Sequence, residues 1–143
     1  MPLLRSLLFA PGNVARRVEK ALSLEADAVI VDLEDSVAVS EKEATRKPVA
    51  EALSRPRKCL GYVRVNAPSS PFCYGDLAAT IHKGVDGVLL PKVESAAAVH
   101  EVLRVLDEHD APARLALWCM LETPRGVLRA EEIAAASARG GPS

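Results

Sequence analysis

Three carboxylates directly follow an apolar run early in the chain: Asp32, Glu34 and Asp35 come after Ala-Val-Ile-Val at residues 28–31. A short β-branched run is typical of a strand buried on both faces of a parallel sheet, where ligands bind at the carboxyl ends of the strands. Close negative charges repel unless a cation or ordered donors hold them, so these acids could bind a metal directly or hold its water molecules. Alternation along an extended segment predicts that Glu34 lies on the same side as Asp32, whereas Asp35 faces away.

Two further polar side chains follow apolar runs in the same way. Glu122 comes directly after the almost wholly apolar residues 115–121, and Arg64 lies near the end of the run at residues 60–65. Glu122 could be an oxygen ligand for Mg²⁺, or a carboxylate stabilised by the dipole of a following helix. The planar guanidinium of Arg64 suits a substrate carboxylate, and it equally suits an internal ion pair with the three acids.

Basic residues offer two more candidates. Lys92 follows a fourth apolar run and either points into the site or is a solvated loop residue. A second basic group, Arg16, Arg17 and Lys20, lies near the start of the first predicted helix. That group could hold phosphate groups, helped by the backbone donors of the preceding turn, or it could form a solvated helix face.

The elements that must position these residues alternate along the chain. Apolar runs predict strands at residues 3–9, 28–31, 60–65, 85–90 and 115–121. Five helices are predicted between and after these strands. The first is capped by Asn13, the second opens with a capping box at Ser40, and the third is a short helix at 76–83. The fourth is capped by Ser95, and the fifth begins at Thr123 and Pro124 and runs to about residue 138. Pro48 should kink or restart the second helix. Strict alternation predicts one α/β domain with a parallel sheet and right-handed crossovers.

Composition excludes several classes of protein. The 143 residues suffice for one domain, and a net charge of −1 gives no general attraction to nucleic acid or to an anionic membrane. The three cysteines form no C-x-x-C pair, so neither a zinc site nor a disulfide framework is expected. Cys59 and Cys119 are predicted to be core residues, and the three histidines helix-surface residues. No leader or membrane-length apolar run is recognised, which makes a cytoplasmic location the expectation.

The motifs together resemble those of the HpcH/HpaI aldolase family, in its citrate lyase β-subunit group. The matching stretches are RSLLFAPG at 5–12, DAVIVDLEDS at 27–36, VRVN at 63–66, LPKVES at 90–95 and LETPRGVL at 121–128. The resemblance implies a (β/α)₈ TIM barrel, of which residues 1–143 would form the N-terminal portion. About five βα units would leave the barrel unclosed, as a partial barrel with parallel strands.

The resemblance also implies a reaction and a set of roles. Family members cleave or form 3-hydroxyacyl-CoA thioesters of the citryl-, malyl- or citramalyl-CoA type by retro-Claisen chemistry with Mg²⁺, and some are thioesterases. By resemblance Glu122 is a catalytic residue that binds the metal and substrate, and Arg64 is the catalytic residue that grips the substrate carboxylate. Phe9 and Lys20 match positions at the CoA entrance. The acids Asp32, Glu34 and Asp35 would organise metal-bound water and Arg64.

The chain also departs from the family pattern. The second metal-ligand aspartate of the family lies on a strand beyond Glu122 that this sequence lacks, and Val14 replaces a residue that is often polar or basic. We therefore expect an open, aggregation-prone partial barrel or one that needs a partner, with weak Mg²⁺ binding and little lyase activity alone. Relatives commonly form homo-oligomers, often trimers. The alternatives are a non-catalytic fragment or pseudoenzyme that binds full-length subunits, and a receiver-like domain.

Overall fold

The computed structural model describes residues 3–82 and 84–136, and its core is a five-stranded parallel sheet with strand order β1-β2-β3-β4-β5. The strands are β1 Leu7–Pro11, β2 Ala28–Asp32, β3 Leu60–Arg64, β4 Gly87–Leu90 and β5 Ala116–Cys119. The helices are α1 Ala15–Leu22, α2 Lys42–Ser54, α3 Cys73–Thr80, α4 Ala96–Glu108, α5 Pro124–Leu128 and α6 Ala130–Ala136. Within the described ranges no helix combines the length and the apolar character needed to cross a membrane.

Five consecutive βα units confirm the predicted alternation. Each strand pairs with the next strand along the chain, as expected when every crossover passes on the same side of the sheet. All carboxyl ends therefore lie along one rim of the sheet. The receiver-like alternative is wrong, because in that fold successive strands are not neighbours in this simple order.

The two faces of the sheet carry different cores. One face packs against the helices through residues such as Val31, Val63 and Leu90, all of which are fully buried. The other face carries a smaller cluster centred on Ile30 and Tyr62. The Tyr62 and Trp118 rings pack there with centroids 5.0 Å apart. A run buried on both faces was the reason for predicting a parallel strand at β2, and the structure confirms it.

Gly87 makes room for this second cluster. A Cβ atom at this position would lie 2.3 Å from Cε1 of Tyr62 and 2.8 Å from the carbonyl oxygen of Ala116. The strand therefore requires glycine beside the tyrosine ring.

Some predicted boundaries are wrong at the amino-terminal side. The first strand begins at Leu7 and not at residue 3, because Asp27 holds the segment before it. Its carboxylate accepts the backbone N–H groups of Arg5 and Ser6 at 2.8 and 2.9 Å. These hydrogen bonds, with the Arg5 N–H first, lower the pKa of Asp27 to about 2.

Helix starts were predicted correctly where a hydroxyl caps the helix in the structure. Ser95 Oγ accepts the Ala98 N–H at 3.3 Å, and Thr123 Oγ1 accepts the Gly126 N–H at 3.0 Å. The Asn13 cap is wrong, because the Asn13 amide donates to Glu41 at 3.0 Å.

The capping box at Ser40 is also wrong: a 3₁₀ turn, Val39–Glu41, precedes α2, and no side chain caps that helix. The α2 helix runs through Pro48 without restarting.

The third and last helices differ from their predicted spans. The α3 helix begins at Cys73 and ends at Thr80, and the final helical segment divides at Arg129 into α5 and α6. The end predicted near residue 138 lies outside the described residues. His82 lies beyond α3 and is half-buried, so its prediction as a helix-surface residue is wrong; burial lowers its pKa. His100 and His109 are exposed, at α4 and its end.

The outer edge of β1 is apolar and exposed. Leu7, Leu8 and Phe9 retain 39%, 36% and 47% of their accessible surface. Among the described residues no strand pairs with this edge, nor with the outer edge of β5. An unpaired strand edge with apolar side chains is a template for association.

We predict that the chain self-associates with rising concentration, and that Leu8→Lys shifts the equilibrium toward monomer. A charged side chain on an edge strand opposes further pairing. Size-exclusion chromatography with light scattering would measure the effect. Val39→Lys is the control, since Val39 is 70% exposed but belongs to the 3₁₀ turn and not to a strand. Equal effects of the two substitutions would contradict the prediction.

Candidate functional site

An ion pair across two strand ends forms the centre of the site. Asp32 and Arg64 are the last residues of β2 and β3, and the register places their Cα atoms opposite each other. Arg64 Nε donates to Asp32 Oδ1 at 2.7 Å, and Nη2 donates to Oδ2 at 2.8 Å. Both side chains are largely buried, with 13% and 4% of their surface exposed. The structure therefore confirms an internal ion pair of Arg64 with the acids.

The Asp32 carboxylate also holds the turn that follows it. Its oxygens accept the backbone N–H groups of Glu34 at 2.8 Å and Ser36 at 3.0 Å. Burial acts to raise the pKa of Asp32, but the hydrogen bonds from Arg64, Ser36 and Glu34 outweigh it and lower the pKa below its ordinary value. The carboxylate therefore stays ionised at neutral pH.

All three acids gather around Arg64. Its Nη1 lies 3.4 Å from Glu34 Oε2 and 4.0 Å from Asp35 Oδ2. The prediction that Asp35 faces away is wrong, because the segment after Asp32 curls around its carboxylate instead of continuing as a strand. The Phe9 ring, reaching over from β1, covers the guanidinium with its centroid 5.2 Å from Arg64 Cζ.

Lys92 is the second cation of the cluster. Its Nζ donates to Glu34 Oε1, and to Asp35 Oδ1 at 3.1 Å. The hydrogen bonds to Glu34 and then Asp35 raise its pKa, so it remains an ammonium group. Of the two alternatives for Lys92, the solvated loop is wrong and the residue that points into the site is right. The family resemblance assigned no role to Lys92, although its place after an apolar strand was a usable signal.

Glu122 joins the cluster from the far side through Lys92. It is exposed, follows β5, and accepts the backbone N–H of Lys92 on Oε1 at 3.0 Å. Contacts thus run from Asp32 through Arg64, Glu34 and Lys92 to Glu122. An open cavity of about 600 Å³ lies beside the ion pair, lined by Phe9, Ala10, Pro11, Asp32, Asp35, Ser36, Arg64 and Met120.

A second cavity lies between β1 and α1 and has a volume of about 570 Å³. Lys20, Arg16 and Arg17 line it, together with Phe9 and Val14. Phe9 thus borders both cavities. Across residues 3–82 and 84–136, none of the three basic side chains has an ion-pair partner within 4.0 Å. The structure thus brings Phe9 and Lys20 to one groove.

Residues 5–140 match the protein family described as HpcH/HpaI aldolase/citrate lyase. The chain belongs to this family. It is 42% identical over 142 residues to the citrate lyase subunit beta of Escherichia coli K12, a match that covers 94% of this chain and 47% of that protein. It is 40% identical over 134 residues to a (3S)-malyl-CoA thioesterase of Cereibacter sphaeroides, a match that covers 92% of this chain and 45% of that protein.

Solved structures show the same likeness. A citrate lyase beta subunit from Mycobacterium tuberculosis, complexed with oxaloacetate and magnesium, matches with a TM-score of 0.72 and 37% identity, covering 91% of this chain and 52% of that one. Another structure from that organism, in complex with magnesium, acetoacetate and coenzyme A, matches with a TM-score of 0.72 and 35% identity. This match covers 94% of this chain and 46% of that one. The fold is an open, partial (β/α)₈ barrel, as predicted, and the chain spans about half the length of the curated relatives it matches.

The acids of this chain do not complete a magnesium site. Within the described ranges no group of three or more His, Cys, Asp or Glu residues is arranged to hold a metal ion. Asp32, Glu34 and Asp35 are already paired with Arg64 and Lys92. Glu122 is exposed and would supply one ligand of the six that Mg²⁺ prefers.

We predict that Asp32→Asn lowers the free energy of unfolding by about 3 kcal/mol at pH 7, because a largely buried guanidinium then loses its counter-charge. The pKa of Asp32 is lowered by folding, so its stabilising contribution is present above the ordinary value of 3.8 and is lost as the pH falls through the folded-state pKa. The variant should therefore show a shallower loss of stability in acid. Denaturant unfolding at several pH values would measure both effects.

Asp35→Asn is the control for that substitution, since the Asp35 side chain is 64% exposed. It should cost less than about 1 kcal/mol, as exposed ion pairs do. An acid dependence in Asp32→Asn equal to that of the natural chain would contradict the prediction.

We further predict that millimolar Mg²⁺ raises the melting temperature by less than about 2 °C, because a ligand near its dissociation constant stabilises by only a few tenths of a kcal/mol. Thermal melts in Mg²⁺ and in chelator would measure this. A large stabilisation that Glu122→Gln abolishes would show that the chain alone holds the ion.

Proposed function

We propose that residues 1–143 form the N-terminal portion of a citrate lyase β-like barrel domain. In this proposal the chain supplies part of an active site that cleaves a 3-hydroxyacyl-CoA thioester to an oxo acid and acetyl-CoA. The observation that carries the proposal is the convergence of Arg64, Phe9 and the acids beside an open cavity at the carboxyl ends of the strands. Family membership supports the reaction class.

Arg64 is the proposed substrate-gripping residue. Asp32 occupies Nε and Nη2, which fixes the plane of the guanidinium, and Phe9 covers one of its faces. Nη1 forms no hydrogen bond with any residue in the described ranges and keeps only longer ion-pair contacts. It is the group that would donate to a substrate carboxylate. A guanidinium already oriented by its neighbours loses little freedom when the substrate binds.

The groove between β1 and α1 is the proposed entrance for coenzyme A. Arg16, Arg17 and Lys20 give it a positive charge suited to phosphate groups. Phe9 lies where the groove meets the cavity of Arg64, so a long ligand could place its phosphates in one and its acyl end in the other. Val14 supplies only apolar contact in the groove.

In the proposed reaction the hydroxyl group loses its proton to a base, and its C–O bond becomes the carbonyl of an oxo acid. The adjacent C–C bond breaks, and its electron pair passes to the thioester fragment as an enolate, which is then protonated to acetyl-CoA. Asp32 is a poor candidate for the base, because its pKa is lowered and Arg64 donates to both of its oxygens. The positive charge of Arg64 would stabilise the developing anion.

Magnesium, present in the solved relatives, would polarise the hydroxyl and carbonyl oxygens. Glu122 would be one ligand, and the remaining ligands would come from substrate, water and residues outside those described. A homo-oligomer in the cytoplasm stays our expectation for the assembled protein.

Two other functions have specific observations in their favour. One of the relatives is a (3S)-malyl-CoA thioesterase, which suggests hydrolysis of the thioester instead of C–C cleavage. The incomplete metal site suggests a non-catalytic product that binds full-length subunits.

We predict no turnover by the chain alone, and turnover when it is joined genetically to the second half of the Escherichia coli citrate lyase beta subunit. Malyl-, citramalyl- and citryl-CoA would be supplied with Mg²⁺. A lyase releases an oxo acid and acetyl-CoA, whereas a thioesterase releases free CoA thiol. Neither product from a folded, joined protein would overturn both catalytic proposals and favour the binding role.

In the joined protein, Arg64→Lys should lower kcat/KM roughly 100-fold, because lysine lacks the fork that serves Asp32 and substrate together. Arg104→Lys is the control, on an exposed part of α4. An Arg64→Lys protein with unchanged kinetics would contradict the assigned role.

A further inference from the structure

Lys92 has a backbone conformation that lysine rarely adopts. Its φ angle is 51°, in the left-handed region, where a side chain with a Cβ atom is strained. Glycine would relieve this strain. A strained residue persists only when the surrounding structure over-determines its conformation, and such residues cluster at functional sites.

The contacts of Lys92 explain what holds this conformation. The residue follows β4, and its backbone N–H donates to Glu122 at the end of β5, on one side. Its Nζ reaches Glu34 and Asp35 at the end of β2, on the other side. Because β3 lies between β4 and β2, the side chain spans the strand end that carries Arg64. One residue thereby links the ends of three strands, β2, β4 and β5, across the end of β3.

These contacts reach Glu122 directly and Arg64 through Glu34, and the proposed function gives Glu122 and Arg64 direct roles. Glu34 is shared: one oxygen accepts from Lys92, and the other, 3.4 Å from Arg64, is buried without a hydrogen-bond partner among the described residues. Lys92 thus determines where the buried Glu34 carboxylate sits against Arg64. Its side chain is itself 43% exposed, so burial does not account for its place.

We propose that Lys92 is a positioning residue: its left-handed backbone orients Glu122, and its ammonium group, through Glu34, orients Arg64. This inference rests on the proposed function for the roles of Glu122 and Arg64. The claim that Lys92 orients these two side chains can be tested without it. The ammonium group acts as a fixed cation and takes no part in bond making or breaking.

The test uses the full chain labelled with ¹⁵N and needs neither ligand nor turnover. The Arg64 Nε–H resonance and the exchange of the Lys92 amide with solvent are followed by NMR in Lys92→Met, Lys92→Arg and Glu34→Gln. Lys92→Met should shift the Arg64 signal and speed its solvent exchange roughly two- to fivefold, the factor expected for loss of a partly exposed ion pair. Glu34→Gln should shift it similarly, and Lys92→Arg should restore it.

Two further outcomes separate positioning from a general contribution to stability. The Trp118 fluorescence and melting temperature should stay close to those of the natural chain in Lys92→Met, and the Lys92 amide should lose exchange protection in Glu122→Ala. An unchanged Arg64 signal in a folded Lys92→Met protein would overturn the proposal, as would failure of Lys92→Arg to restore it. If Lys92→Met does not fold, Glu34→Gln decides. Failure of the lyase assay with these signals moving as expected would reject the proposed function alone.

Discussion

The Asp32–Arg64 ion pair is the interaction on which the rest of the site depends. Burying a guanidinium to this extent is costly unless a carboxylate balances its charge and matches the geometry of its donors. Asp32 does both, because it accepts two hydrogen bonds from Arg64. The parallel register of β2 and β3 places the two residues opposite each other without help from loops. Once Asp32 is fixed, its oxygens also order the following turn, and that turn delivers Glu34 and Asp35 to the same cation.

Five βα units form one continuous parallel sheet with both edge strands unpaired among the described residues, and the relatives are about twice as long. Residues such as Leu8 and Phe9 therefore remain exposed where a longer chain would have room to cover them. Glu122, which follows β5, lies near the other unpaired edge of the described sheet.

The site separates into a largely buried part and a more exposed part. Arg64 is held by Asp32 from one direction and by the Phe9 ring from another, so its orientation is nearly determined before any ligand arrives. Lys92 and Glu122 lie at the exposed side, connected by one backbone hydrogen bond and one strained residue. This division suits a site in which one group recognises a fixed carboxylate and another accepts ligands contributed from elsewhere.

The sequence by itself determined the order and type of the elements, since apolar runs and helical periodicity report burial directly. It also determined that polar groups end the strands, because those positions interrupt runs that otherwise avoid charge. Caps with a hydroxyl, at Ser95 and Thr123, were readable because the accepting hydroxyl and the backbone N–H that donates to it lie three residues apart. Only the tertiary structure decided how the charges pair. Asp35 lies in the cluster because the turn around the Asp32 carboxylate, three residues earlier, directs it there. Lys92 lies in the site because its side chain spans the end of β3, between its own strand β4 and strand β2, which precedes Glu34. Pairings of this kind depend on distances between residues far apart in the chain, which local spacing does not contain.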